Sequence, residues 1–435
     1  RPLRDALIDR LTQPAPAAEP RLDRDTERLL LEVLDAVDRR IATTRAGDEA
    51  VLAAYLDDLE SDPEGVRRAL EHYTVVLAAT LQHAAGTEMR RVRGIDEGQA
   101  TFESVIVDEA ARANPLDLFI PLSLAKRRVV LVGDHRQLPH LLEPDVERQL
   151  AVGVDEGTVK QQTLDAVQAS LFERMWVLLR ALEQKDGIRR TVTLNAQYRM
   201  HPALGGYVSR EFYEVHDDGS IESPRPADPF SHDLPGYVKK GVPCVAGWLD
   251  VPRDRGREVR GVSKSRLVEA RAIAKEVRRL IDHDPRLTFG VIAFYSAQVD
   301  EIGQAMIGTG LTEGGSNVRD WRIAERWSTT YNHEGKKVER LRIGTVDAFQ
   351  GKEFDVVFLS VTRSNELPGA SDEEQRRKFG HLMLENRLCV AMSRQQRLLI
   401  VAGDLAFVRA EDARKPLRAL RAFTDLCGGQ HGVVR

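Results

Sequence analysis

Asp108 and Glu109 close an apolar run, SVIVDEA (104–110), and a Gly-Asp-x-x-Gln turn, Gly133 to Gln137, closes a second, RVVLVGD (128–134). Two strands that bring carboxylates and a side-chain amide to one edge of a parallel sheet make half of a nucleotide-hydrolysing site. An Asp at a strand end holds Mg²⁺ through its water shell, because hard oxygen ligands suit that ion. A neighbouring Glu orients and deprotonates the water that attacks a terminal phosphate. The plain alternative is a pair of helix N-terminal acids favoured by the helix dipole. Gln137 tips the balance, since its amide stands where it can touch both the attacking water and the γ-phosphate. Asp134, in the same turn, adds a carboxylate at the nucleotide edge.

Phosphoryl transfer also needs cations to neutralise the charge that spreads over the equatorial oxygens. Arg199, in LNAQYRMHP (194–202), and Arg394, in RLCVAMSRQQ (387–396), stand in suitable places. The bland reading of each is a surface or capping arginine. In GTVDAFQGKEFDVVFLSV (344–361), a turn at Gly351 leads to Glu353, whose carboxylate is placed for ribose hydroxyls. Thr345 and Asp347 are placed to meet a second ligand or to relay between sites. The phosphate-cradling half of the site is missing. A Walker loop needs Ser or Thr after its Lys, whereas Glu353 follows Lys352 and Lys337 follows Lys336.

The elements that must position these groups are short apolar runs: 75–80, 104–110, 128–134, 192–195, 289–295, 342–346, 355–361 and 398–404. Runs so short and continuous read as strands buried on both faces of a parallel sheet. Amphipathic segments such as Leu267 to Ile281 supply crossover helices, so the class is α/β, doubly wound. A break near 187–190 separates one sheet from a second, and residues 308–341 interrupt the second sheet. Ahead of them, apolar residues recur at helical spacing over 23–73, including Leu34, Val37, Val51, Leu52 and Leu56. These stripes read as the core of a small helical subdomain. Residues 12–20 read as a linker or exposed loop.

Bulk properties narrow the class. With 435 residues the chain has room for two or three domains. A net charge of −4 leaves no global basic field, so a polyanion must be held in a local groove. The three cysteines, Cys244, Cys389 and Cys427, show neither disulfide nor metal spacing and suit a reducing cytoplasm. Cys389 reads as core. No apolar run reaches membrane-spanning length, and no signal peptide is visible.

In this order the motifs resemble those of superfamily-1 helicases of the Upf-like group, ATP-driven motors on RNA or DNA. The matching pieces run from Val75 to Asp404: a strand ending in Thr80, then DEAAR, GDHRQLPH, QYRMHP, IAFYSAQ, TVDAFQGKE and VAMSR. The resemblance implies two RecA-like domains, the first incomplete. The division is then 1–73 as an insertion remnant, 74–188 as the partial first domain and 189–430 as the second. It implies ATP and Mg²⁺ as ligands, with Asp108 assisting the metal, Glu109 as general base and Gln137 sensing the γ-phosphate. Arg199 and Arg394 would act as arginine fingers, Glu353 would hold the ribose, and Thr80 and Thr345 would touch the nucleic-acid backbone. Arg112 stands where such proteins often have Gln. Their phosphate loop lies upstream of the helical insertion, so the chain is expected to be part of a larger helicase whose remaining polypeptide supplies that loop.

A motor of this type grips a single strand mainly through its backbone. Arg253, Arg255, Arg257 and Arg260 form a basic loop, and Arg319, Trp321, Arg322, Arg326, Trp327 and Tyr331 interleave cations with rings. Each reads either as part of that grip or as a solvated loop and an insertion packing its own aromatics. The rival to a motor is a binding or scaffold module that keeps the fold without hydrolysing ATP. A metabolic phosphotransferase would give no reason for two arginine motifs on a second sheet.

Overall fold

The computed structural model describes residues 4, 6, 8, 23–44, 48–93, 102–139, 170–259, 261–315, 317 and 319–435. The expected linker at 12–20 and Arg260 lie outside them. The chain divides into two compact units, residues 1–99 and 100–435.

The first unit carries helices α1 (Arg24–Thr44), α2 (Asp48–Ser61) and α3 (Pro63–Tyr73). Pro63 opens α3 where its missing N–H costs nothing, and Asp62 caps it by accepting from Gly65 N. The apolar stripes are not core: Leu34, Val37, Val51, Leu52 and Leu56 are all exposed. Helical periodicity registers that one stripe is apolar, not that another element covers it. The run at 75–80 forms no strand, and Val75 and Val76 are exposed.

The second unit holds a parallel pair, β1 (Phe102–Val107) with β2 (Ala125–Leu131), linked by α4 (Pro115–Ser123). Helix α5 (Leu171–Asp186) follows and stops at Gly187, whose φ of 72° suits the left-handed end of a helix. This stop falls at the break read from the sequence. A six-stranded parallel sheet comes next: β3 (Ala246–Asp250), β4 (Phe289–Ala293), β5 (Leu341–Thr345), β6 (Phe354–Ser360), β7 (Gln395–Gly403) and β8 (Gly432–Val434). Their order across the sheet is β5-β4-β6-β7-β3-β8. The run 192–195 is not among them; only Ala196 makes an isolated bridge, to Glu222. The sequence signal for β3 is weak because Ala246 and Gly247 contribute little apolar surface, and β8 has only three residues.

Every residue of β6 is buried, as a central parallel strand requires. Alternation sends Val356 and Phe358 to a layer with helix α7 (Leu267–Ile281), and Val357 and Leu359 to the other face. That other face packs against α6 (Pro202–Phe212) and α9 (Arg418–Gly428) through Leu204, Tyr207 and Phe423. Cys389 lies in the same layer and, like Cys244 and Cys427, is buried and unpaired. Between β4 and β5, residues 308–341 form two short hairpins. Trp327 is buried there beneath Arg278, Arg326 and Arg340, and Trp321 packs on Gly303, so these rings serve the insertion's own packing.

Candidate nucleotide-hydrolysing site

Parallel pairing sets Val107 beside Leu131, so Asp108 and Gly133 leave the sheet at one edge. Two backbone bonds then lock the turns together: Val132 N donates to Val107 O and Ala110 N to Val132 O, each over 2.8 Å. Gly133 must be Gly here, because a Cβ would stand 2.8 Å from Ala111 N. Glu109 itself adopts the left-handed region, with φ 52° and ψ 35°. Non-glycine residues accept that conformation where the surrounding structure fixes it, commonly at functional sites. Asp108 Oδ1 accepts from Glu109 N at 2.9 Å, leaving an exposed carboxylate at the strand end. One hard oxygen donor fits a Mg²⁺ that keeps most of its waters and takes its other ligands from phosphates. No group of three or more metal-ligating side chains occurs among the described residues.

In the second turn, Asp134 is engaged within the fold. It accepts from Arg136 N (2.9 Å), from Gln137 Nε2 (2.8 Å) and from the hydroxyl of Tyr213 (2.5 Å). Burial and the adjoining Asp134 carboxylate hold the Tyr213 hydroxyl far above its ordinary range, so it stays a donor. Tyr213 was not legible as a functional residue, because it is distant in sequence and lies just past α6. The amide of Gln137 is thus oriented, and its Oε1 accepts from Arg394 Nη2 at 3.1 Å.

Arg394 is 2% exposed. It lies between helix α8 (Glu385–Ala391) and β7, and it donates to Val390 O and Ser393 Oγ, each at 3.1 Å. Burial, then the nearby Arg199 guanidinium, lowers its pKa to about 10, so it remains a cation at neutral pH. Arg199 is placed by a tight fold of the QYRMHP segment. Gln197 closes on both backbone groups of Met200 (2.9 Å each), and His201 N donates to Gln396 O at 2.9 Å. The guanidinium then donates to Glu353 Oε2 (2.9 Å) and Ser393 O (3.3 Å). Glu353 also accepts from Gln396 Nε2 at 2.9 Å, and it follows the turn at Gly351, whose φ is 74°.

The cluster therefore joins the C-terminal ends of β1 and β2 to the N-terminal ends of β6 and β7. Asp108, Glu109, Asp134, Gln137, Arg199, Gly351, Glu353 and Arg394 all belong to it. Thr345 and Asp347 lie at the opposite end of β5, where Asp347 pairs with Arg387 at 2.9 Å. Thr80 belongs to the first compact unit, where its hydroxyl meets His83 Nδ1 at 2.8 Å. Arg112 is exposed at the close of the DEAAR turn. One participant is not singled out by sequence reasoning although it stands within TVDAFQG: Gln350, whose Nε2 donates to Glu109 Oε2 at 3.3 Å.

A family model described as an AAA domain (AAA_12) matches residues 167–406, and a second one, also described as an AAA domain (AAA_11), matches 19–142. The chain is 25% identical over 394 residues to helicase sen1 of Schizosaccharomyces pombe, covering 89% of this chain and 19% of that protein. It is 24% identical over 364 residues to the DNA polymerase alpha-associated DNA helicase A of Saccharomyces cerevisiae, covering 81% and 45%. With ATP-dependent helicase NAM7 of the same yeast it shares 28% identity over 304 residues, covering 70% and 25%. The chain thus spans less than half the length of each of these relatives.

Proposed function

The chain belongs to the superfamily-1, Upf-like helicases, and on that premise we propose that it is motor machinery coupling ATP hydrolysis to movement along single-stranded RNA or DNA. In this reading residues 74–188 belong to a first RecA-like domain and 189–430 to a second, with 1–73 the end of an insertion. The carrying observation is the convergence of Arg394 and Arg199 on the edge that bears Glu109 and Gln137. A cation as deeply buried as Arg394 is costly unless it serves a negative partner. Its hydrogen-bond partners here are neutral, with Glu109 a weaker negative influence, and a γ-phosphate would supply the missing charge.

Each residue then has one task. Glu109 takes a proton from the attacking water. Arg199 and Arg394 stabilise charge on the transferring phosphoryl group. Glu353, released from Arg199, accepts from ribose hydroxyls, and Asp108 is the residue that would hold Mg²⁺, which supplies charge neutralisation on the phosphates. Thr345, Asp347 and, in the other unit, Thr80 are proposed to meet the strand's backbone. The remaining polypeptide of a longer parent is proposed as the source of the phosphate loop.

One observation favours the rival scaffold module: no GxxxxGK[ST] pattern occurs in these 435 residues. Measuring ATP turnover with and without RNA and DNA oligonucleotides separates the two. In a longer polypeptide that includes the phosphate loop, Glu109→Gln is expected to reduce kcat by about a hundredfold or more while nucleotide affinity stays within about twofold. Turnover undiminished in that variant would defeat the mechanism.

A further inference from the structure

On the reading that this cluster hydrolyses ATP, we infer that Asp218 is a positioning residue. It grips the turn that carries Gln137 and so holds the Gln137–Arg394 bond in place for turnover. Arg136 Nε donates to Asp218 Oδ2 at 2.5 Å, across 82 positions of sequence. The pair is shielded, with the Asp218 side chain 8% exposed and that of Arg136 25%. His135 Nε2, shut off from solvent and without a hydrogen-bond partner among the described residues, stands 3.5 Å from the same oxygen. Asp218 thus faces two consecutive residues of the turn, and Gln137 is the next.

A local fold brings Asp218 there. Helix α6 ends at Phe212, and Glu214–His216 make one tight turn. Asp217 then adopts the left-handed region, with φ 58°, which Asp tolerates better than most residues. The chain reverses, and Asp218 N donates to Tyr213 O at 3.2 Å. Ser209 Oγ braces the turn by donating to Glu214 Oε1 at 2.6 Å. Tyr213 and Asp218 therefore stand side by side, and each holds a different residue of the facing turn. The Tyr213 hydroxyl holds Asp134, and the Asp218 carboxylate holds Arg136.

Two grips do what one cannot. The bond from Tyr213 alone would leave the turn free to pivot about Asp134, and a second grip two residues on fixes its direction. Helix α5 adds a third support, the His135 ring lying 4.9 Å from that of Trp176. What is fixed is Gln137, whose Oε1 accepts from Arg394. A displacement of about 1 Å at such a joint costs rate steeply, because the arginine must meet charge that develops in the transition state. Losing the pair need not unfold the chain, since Arg136 is exposed enough to turn to water.

Wild type, Asp218→Asn, Gln137→Ala, the double variant and Glu109→Gln are compared in a longer polypeptide that includes the phosphate loop. The readouts are kcat, KM for ATP and the thermal midpoint. Asp218→Asn keeps the size and removes the charge, so kcat should fall about tenfold with KM within about twofold. In the Gln137→Ala background the same substitution should cost less than about twofold, because the amide it positions is gone. A residue that only supported the fold would lower the midpoint, and its loss would multiply with that of Gln137→Ala. If Asp218→Asn melts early, Arg136→Gln, which opens the same pair from its other end, must reproduce both results. Wild-type kcat in Asp218→Asn, or fully multiplicative losses in the double variant, with Glu109→Gln inactive, would overturn this inference and leave hydrolysis standing. Undiminished turnover in Glu109→Gln, or a wild type without turnover, would overturn both.

Discussion

Arg394 Nη2 donates to Gln137 Oε1 over 3.1 Å, although 257 positions separate the two residues. The bond ties the start of β7 to the turn after β2. The two should therefore act as one unit in turnover. Arg394→Ala is expected to cost about a thousandfold in kcat, as loss of an arginine finger does. Gln137→Ala added to it should cost much less than it does alone. Fully multiplicative losses in the double variant would show that the bond does not matter to catalysis.

Glu353 waits in an ion pair with Arg199 and in a bond from Gln396. A ribose that takes over this carboxylate must compete for it. Glu353→Ala should weaken ATP binding about tenfold and dATP binding less, because one of the lost bonds goes to a hydroxyl that dATP lacks. Equal losses for both nucleotides would remove Glu353 from the ribose site.

Gly133→Ala should damage the site from below. Its new methyl would meet Ala111 N at 2.8 Å and Ala110 N at 3.3 Å, so the DEAAR turn has to move. Overpacking of this kind costs about 1–3 kcal/mol, readable in denaturant unfolding, and turnover should fall further than stability alone explains. A variant with unaltered midpoint and rate would show that the turn has slack.

Acid should loosen the QYRMHP segment. His201 Nδ1 accepts from Ala203 N at the start of α6, which requires an unprotonated ring nitrogen. Burial, then His431 and His232, depresses its pKa to about 4. An unfolded histidine takes its proton near pH ~6.5, so below that pH the unfolded chain binds a proton the folded chain refuses. The contribution to stability is whole above pH ~6.5 and is lost as pH falls toward about 4. Thermal midpoints should drop between about pH 7 and about pH 5, and less so in His201→Asn, whose amide still caps the helix. Burial also depresses His232 and His381, so some acid sensitivity should persist. An identical drop in both proteins would exonerate His201.

Groups announced by strand ends were the legible part of the site. Asp108, Gln137 and Glu353 stand at fixed offsets from continuous apolar runs, and such runs read as parallel strands. Burial on both faces holds for β6 but not for β1 and β2, where Ile106, Val129 and Val130 are exposed. Arg199 and Arg394 were legible only as arginines beside a sheet; their convergence depends on how two sheets meet, which local pattern does not encode. Tyr213 and Gln350 escaped for the same reason, each meeting a partner remote in sequence. The strands expected at 75–80 and 192–195 fail on another ground. An apolar run becomes a strand only when a neighbour offers a ladder, and neither run has one among the described residues. The stripes of α1 and α2 show the same limit for helices.

The short strand β8 has a consequence for handling the protein. It covers one side of β3, and around it Val245 N donates to His431 O and Asp250 N to Arg435 O, each over 2.8 Å. Arg435 is further tied to Glu276 by an ion pair of 2.6 Å. Trimming the chain before His431 would leave the donors and acceptors of β3 bare along an open margin. Such a margin is a template for another chain's strand. Shortened preparations should then self-associate and precipitate even where the nucleotide cluster is intact.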